Sequence, residues 1–348
     1  MQLQPAVVSA IPPPARRPDR QETITPRSPR TNLIDLRATV LLAIAAYALA
    51  LATSGLLHIR ANALDGIPLC VGPAAFALFY SRLIFPRATR LKQGIETACL
   101  MVVLGLSLAC LSYVGAMSSL PLRDPEIIWA DRHLGFDWLK IMARLDHWPT
   151  VLMVLDGAYA TFTSQIIATA LILLVARRTR ELDRFLVTFV CATMIAVITS
   201  ALVPTVGPMA ALARNSQFAH LATLGRNTGE TVLALRGGAL KTIELDAING
   251  IISFPSLHAA VAIIVPFTLR WNKPLFWALA TLDVAMFVSA VPSGNHYFAD
   301  IGGGVAVAVL AILCGRHVHE QLERWSATTF ANVIAALPRR RTHITPAE

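Results

Sequence analysis

From Ala38 to about His58 the chain is apolar for the ~20 residues a helix needs to cross a bilayer. Comparable runs follow at Pro68 to Phe85, Ile95 to Ser118, Val151 to Ala176, Phe185 to Val203, Ser256 to Trp271, Pro274 to Val291 and His296 to Gly315. None shows the alternating ten-residue pattern of an outer-membrane barrel, so helices are the spanning option. The pattern predicts an all-α fold, a polytopic transmembrane helix bundle of about eight spans. Two long connections, Ser119 to Thr150 and Pro204 to Pro255, mix charges of both signs and are the candidate functional loops. In the first, Trp129, Trp138 and Trp148 with Leu134, Phe136 and Leu139 read as an amphipathic segment lying on the bilayer surface.

Charge adds a direction to this pattern. Lys and Arg collect in residues 1–37, in the second-to-third connection (Arg87, Arg90, Lys92), the fourth-to-fifth (Arg177, Arg178, Arg180, Arg184), the sixth-to-seventh (Arg270, Lys273) and the C-terminal segment (Arg316, Arg324, Arg339 to Arg341). These fall on alternate connections and therefore on one side, expected to be cytoplasmic. The chain divides accordingly into a Pro- and Arg-rich disordered tail (1–37), two N-terminal spans (38–94), six further spans (95–315) and a cytoplasmic C-terminal segment (316–348). Composition agrees: hydrophobic residues make up 55% and charged residues 15%, against about 25% charge in a soluble domain. A net charge of +9 sits in short clusters between apolar runs, so it reads as topology and not as a nucleic-acid surface. The five cysteines are scattered through apolar stretches without CxxC spacing, which implies neither a disulfide framework nor a zinc site.

Candidate chemistry gathers in two segments, Phe254 to Ala260 and Ser293 to Asp300, both at the extracytoplasmic surface by this topology. His296 and Asp300 share a helix face, where the carboxylate can fix the orientation and tautomer of the imidazole. His258, on another helix, is placed to supply a proton to a leaving group. Pro255 and Ser256 read as a helix start whose free N–H groups suit a phosphate. Gly302, Gly303 and Gly304 allow a second helix to approach closely. Ionisable groups at membrane depth are expensive, so the trio reads as functional. The same three residues would also suit zinc, but no fourth ligand is evident.

These segments resemble the second and third signature motifs of the type 2 phosphatidic acid phosphatase superfamily, written P-S-G-H and S-R-x5-H-x3-D. Here they read Pro255-Ser256-Leu257-His258 and Ser289-Ala290-x5-His296-x3-Asp300. The form F-P-S-L-H-A with G-N-H-Y-x-x-D is similar to the inositol phosphorylceramide synthase-like branch. The resemblance implies a six-helix phosphatase-like core over the last six spans. It also implies a lipid phosphatase or inositolphosphotransferase of lipid metabolism, with His296 as nucleophile through a phosphohistidine, Asp300 as its support and His258 as acid. No cofactor or metal is expected, because nucleophile and acid are protein groups. The expected partner is a membrane lipid carrying a phosphate group, and the expected location is the cell inner membrane.

Two departures matter. The arginine expected after Ser289 is Ala290, and no K-x6-R-P motif occurs. Phosphate charge is then expected to be met by Arg214, Arg226, Arg236 or Lys241 in the long loop, or by the helix N-terminus with Ser256 and Asn295. Pro204-Thr205-Val206-Gly207-Pro208 stands where the branch has a proline-rich first motif. Tyr113, Asp131, Arg132, Asp156, Tyr159 and Gln165 are candidates to line a headgroup pocket, with an interfacial ion pair as the plainer reading of Asp131-Arg132. The rival class is a phospholipid-binding transporter or a catalytically silent relative. A transporter should carry polar groups along a path through its spans, whereas here they gather at one end.

Overall fold

The computed structural model describes residues 90–213, 218–221, 224–240 and 250–336. The expected spans Ala38 to His58 and Pro68 to Phe85, and the tail before them, lie outside the described residues. The described residues are all-α. The helices are α1 (Arg90–Ala116), α2 (Asp124–His133), α3 (Trp138–Leu145), α4 (Pro149–Ala160), α5 (Phe162–Val175), α6 (Thr179–Leu202), α7 (Pro208–Leu212), α8 (Leu224–Arg236), α9 (Leu257–Leu269), α10 (Lys273–Ser289) and α11 (Phe298–Ala336).

By length and composition α1, α6 and α11 can each cross a membrane. The run expected as one span from Val151 to Ala176 is instead two helices, α4 and α5, bent by 46°. Thr161 stands at the break, where its hydroxyl donates to the Ala158 carbonyl at 2.6 Å and its backbone N–H bonds the same oxygen, tightening the last turn of α4. The runs at Ser256 and Pro274 form helices of 13 and 17 residues, α9 and α10. At 1.5 Å per residue, a 13-residue helix rises roughly 20 Å, less than the ~30 Å hydrocarbon core. So the described residues hold three full-length spanning helices and one broken one where six were expected. The shortness of α9 has a physical basis. It packs against α5, α6, α10 and α11, and non-helical backbone is tolerated at membrane depth where protein covers it.

Charged turns extend two helices beyond their apolar runs. α6 starts at Thr179, six residues before the expected Phe185, and α11 continues to Ala336, past the boundary expected at Gly315. Both extensions meet each other: Arg180 pairs with Glu323 at 3.0 Å, and the buried His319 sits 3.1 Å from Asp183. The long connections also contain α2, α3, α7 and α8, which hydropathy did not reveal. Trp138, expected on the bilayer surface, is buried against Met142, Leu152 and Phe218, while Trp129 and Trp148 are exposed.

The main core lies between α5, α6, α9 and α11, where Ala170, Ala260, Ala308 and Ala311 are fully buried among Leu173, Leu186, Ile264 and Leu269. Small residues let these helices approach closely where lipid offers no hydrophobic driving force. The closest approach is at Gly304. A Cβ there would overlap the Ser256 carbonyl oxygen and come within 2.7 Å of Ala259 Cβ, whereas Gly302, two residues earlier, faces open space.

This contrast sets a paired test. Gly304→Ala should lower the thermal stability of the purified protein by about 1–3 kcal/mol through overpacking. Gly302→Ala should be neutral or slightly stabilising, since alanine is the better helix former. Equal effects of the two substitutions would show that the α9–α11 contact does not need its glycine.

Candidate active site

The site is assembled where α9 and α11 begin. Ser256 adopts extended backbone angles and caps α9, its hydroxyl accepting from Ala259 N–H at 3.3 Å. Its own N–H donates to the Asp300 carbonyl at 3.0 Å, tying the two helix starts together. Serine is favoured at such a position because its oxygen satisfies a free amide of the first turn. The residue expected to meet phosphate is thus fully buried and already engaged in capping.

The start of α11 is held by carboxylates. Asp131, from α2, accepts from Phe298 N–H at 2.9 Å and Ala299 N–H at 2.7 Å. Asp300 Oδ2 accepts from Tyr297 N–H at 2.9 Å. Carboxylates are stabilising at helix N-termini, where free N–H groups point outward. Asp131 is therefore a buried anchor and not half of an exposed ion pair with Arg132. Asp124, at the first residue of α2, is a second anchor of this kind. Its carboxylate accepts from Val206 and Gly207 N–H at 3.1 Å and from the Tyr297 hydroxyl at 2.8 Å. Burial pushes both carboxyls above their ordinary range. Opposing it are the Tyr297, Val206 and Gly207 bonds at Asp124, and the Phe298 and Ala299 bonds at Asp131.

The segment Pro204 to Pro208 packs directly onto the Ser293 to Asp300 segment. Gly207 has φ of 85°, and a Cβ there would fall 2.7 Å from the Asn295 carbonyl oxygen, so both its conformation and its close approach require glycine. Met209 N–H donates to the Gly294 carbonyl, and Phe254 N–H to the Thr205 hydroxyl.

His296 is almost fully buried, and its Nδ1 lies 2.8 Å from the Ser253 carbonyl oxygen. A carbonyl only accepts, so Nδ1 carries the proton and Nε2 presents its lone pair. Asp300 Oδ2 stands 3.6 Å from the same Nδ1, at ion-pair distance. The direct orienting bond therefore comes from the backbone of Ser253, with Asp300 supplying negative charge behind it. The Ser253 hydroxyl, in turn, lies 2.6 Å from the Asn295 carbonyl oxygen and 3.1 Å from Asp300 Oδ2. His258 stacks on Tyr159 with ring centroids 3.8 Å apart and touches Phe162 at 4.4 Å. These two aromatics flank the α4–α5 break. The His258 and His296 rings are 5.9 Å apart, near enough to act on opposite sides of one phosphorus.

A cavity of about 750 Å³ opens beside them. Its apolar length runs between α1 (Met101, Leu104, Leu108), α5 (Ile166) and α6 (Leu186, Phe189), and its polar end holds Asp156, Tyr159, Ser293, Asn295 and His258. Asn295 Nδ2 donates to the Tyr159 hydroxyl at 3.1 Å, leaving its buried Oδ1 without a partner. No lysine or arginine among the described residues lines this cavity.

Of the expected site residues, His258, His296, Asp300, Ser256 and Asn295 come together. Arg236 does not join them: its guanidinium is engaged by the Ser118 and Leu120 carbonyls at the end of α1. Arg214, Lys241 and the Arg226 side chain lie outside the described residues. Asp156 and Tyr159 line the cavity, whereas Tyr113 packs in a separate cluster with Val206 and Leu235, and Gln165 is buried between α5 and α10. Ser253, Asp124 and the capping role of Asp131 escaped sequence reasoning. Asp124-Pro125-Glu126 carries a helix-start signature, but nothing local reveals which distant amides it serves.

The fold and site define a class: an α-helical protein with membrane-length apolar helices and a His/His/Asp centre at one end of the bundle. The chain matches the PAP2 superfamily over residues 125–314, more than half of its length, and belongs to that superfamily. Membership indicates a phosphatase or phosphotransferase acting on a phosphorylated substrate. No curated protein and no solved structure matches the chain significantly.

The carboxylate anchors give a test of this geometry. Asp131→Ala removes the acceptor of two amides and should cost about 1–3 kcal/mol of stability. Asp131→Asn, which keeps one carbonyl acceptor, should recover some of that loss in thermal unfolding. A stable Asp131→Ala protein would mean that α11 starts without this cap.

Proposed function

We propose that this protein is an integral membrane lipid phosphatase or phosphotransferase of the inositol phosphorylceramide synthase-like branch, acting through a phosphohistidine on the extracytoplasmic face. The observation that carries the reading is the apolar cavity ending at His258 and Asn295. Its volume and apolar walls suit hydrocarbon chains, while its polar end suits a phosphorylated headgroup.

His296 Nε2 attacks phosphorus and forms an N–P bond as the bond from phosphorus to the leaving oxygen breaks. His258 gives that oxygen its proton. The phosphorylated imidazole, still protonated at Nδ1 and bonded to Ser253, is stabilised by the Asp300 charge 3.6 Å away. His258 then takes a proton from water or a lipid alcohol, whose oxygen attacks phosphorus and releases His296. The aromatic stack on Tyr159 and Phe162 holds the acid against the cavity wall. Asn295 and Ser293 stand at the polar end of the cavity beside the reacting groups. We place α9 and α10, with α1, α4/α5, α6 and α11, in the six-helix core.

His296→Ala should abolish turnover together with any acid-labile phosphoenzyme. His258→Ala should lose about 10²–10⁴ in rate on a natural lipid phosphate, the usual contribution of a general acid. On an aryl phosphate whose phenolate leaves unaided it should regain some of that loss, whereas His296→Ala should regain nothing. A ratio of mutant to wild-type kcat/KM that stays flat across leaving groups would assign His258 to phosphate binding instead.

Sidedness is tested separately. In a background with the native cysteines replaced, Lys140→Cys should react with a membrane-impermeant thiol reagent in intact cells and Arg316→Cys should not; both side chains are 78% exposed. The reverse pattern would put the site on the cytoplasmic face.

A further inference from the structure

Away from the cavity, α10 carries one acidic residue in an otherwise apolar stretch. Asp283 lies in the sequence Ala278 to Phe287, is 2% exposed, and neither carboxylate oxygen has a hydrogen-bond partner. Its polar neighbour is Gln165 of α5. Gln165 is buried too, and its amide nitrogen is spent on the Thr161 hydroxyl at 2.8 Å and the Met286 sulfur at 3.6 Å. Its carbonyl oxygen Oε1 is unpartnered, as is the hydroxyl of Thr169, one turn further along the same face of α5 and fully buried. Four buried oxygens from two helices thus stand without partners: both of Asp283, one of Gln165 and one of Thr169.

A lone ionised carboxylate in such surroundings is very costly, and buried acids neutralise or pair instead. No cationic side chain is supplied by the packing helices. Within α4, α5, α9 and α10, the residues that titrate apart from Asp283 are Asp156, Tyr159, His258 and, at the first turn of α10, Lys273. The first three line the cavity at the catalytic end.

Counting donors separates the remaining possibilities. The Thr169 hydroxyl brings one hydrogen for the other three oxygens, so one added proton closes the set. Carried by Asp283, that proton would be donated to Gln165 Oε1, and the Thr169 hydroxyl would donate to the second Asp283 oxygen. A sodium ion would want more hard oxygen ligands than these four. We propose that Asp283, Gln165 and Thr169 form a proton-binding site within the bundle, at which Asp283 is a neutral acid linking α10 to α5. Because both faces of the link are buried, ionisation of Asp283 would draw water between the two helices.

Infrared spectroscopy on the full chain in lipid nanodiscs at neutral pH tests this. The wild-type protein should show a carboxylic-acid C=O band that shifts in D2O and is missing from Asp283→Asn. A wild-type minus variant difference containing carboxylate bands alone would overturn the proposal. Asparagine reproduces the neutral acid, since its amide can donate to Gln165 and accept from Thr169, so Asp283→Asn should fold with an unchanged Tm. Failure of that variant to fold would also overturn it. In a third arm, wild-type Tm should be the same in sodium chloride and choline chloride. A sodium-specific rise absent from Asp283→Asn would replace the proton with a metal cation.

Discussion

One backbone hydrogen bond organises the candidate site of this protein: Ser256 N–H to the Asp300 carbonyl. It can form because Gly304, one turn below Asp300, has no Cβ to meet the Ser256 carbonyl and Ala259. The bond fixes where α9 starts relative to α11. His258 lies two residues after Ser256 and His296 four before Asp300, so their separation follows from this contact together with the turn at Gly294. The fully buried Asp300 then serves both helices, through its carbonyl to α9 and its carboxylate to Tyr297 N–H and the Ser253 hydroxyl. Loss of the close approach would shift both histidines at once.

Around this point the long connections are tied together by aspartates. Asp124, Asp131 and Asp146 come from the first connection, and each reaches a different later segment: Val206 and Gly207, Phe298 and Ala299, and Ala219 to Leu221. Three carboxylates in the loops around a proposed phosphate site look self-defeating. Each, however, is spent on backbone N–H groups, and charge-assisted bonds of this kind are roughly twice as strong as neutral ones. The carboxyls of Asp124 and Asp131 are also pushed upward by burial, against the bonds they accept.

The helical class, the positions of α1, α6 and α11, and the residues His258, His296 and Asp300 were legible in the sequence, because each leaves a local mark: a long apolar run, or a polar motif at an apolar boundary. What was not legible depends on distant partners. The bend at Thr161 lies within a continuous apolar run, and the residues on either side of it, Tyr159 and Phe162, pack against the distant His258. The shortness of α9 reflects burial by its neighbours, which hydropathy does not register. Arg236 had the right charge and loop for phosphate but is taken by carbonyls at the end of α1. Ser253 carries no motif of its own, since it acts through its backbone oxygen, a group every residue has.

The two histidines are held in different ways, and the difference matches the roles proposed for them. His296 is enclosed, bonded to Ser253 and backed by Asp300. A nucleophile gains from such restriction, because the reacting nitrogen must be in line with phosphorus and a small displacement is costly in rate. His258 is half-buried on the cavity wall and held by stacking on Tyr159, a contact that tolerates sliding of the ring in its plane. A group that protonates one oxygen and later deprotonates another benefits from that latitude. In the proposed mechanism, rigidity at His296 and tolerance at His258 divide the work of one phosphoryl transfer between a side chain held by hydrogen bonds and a side chain held by stacking.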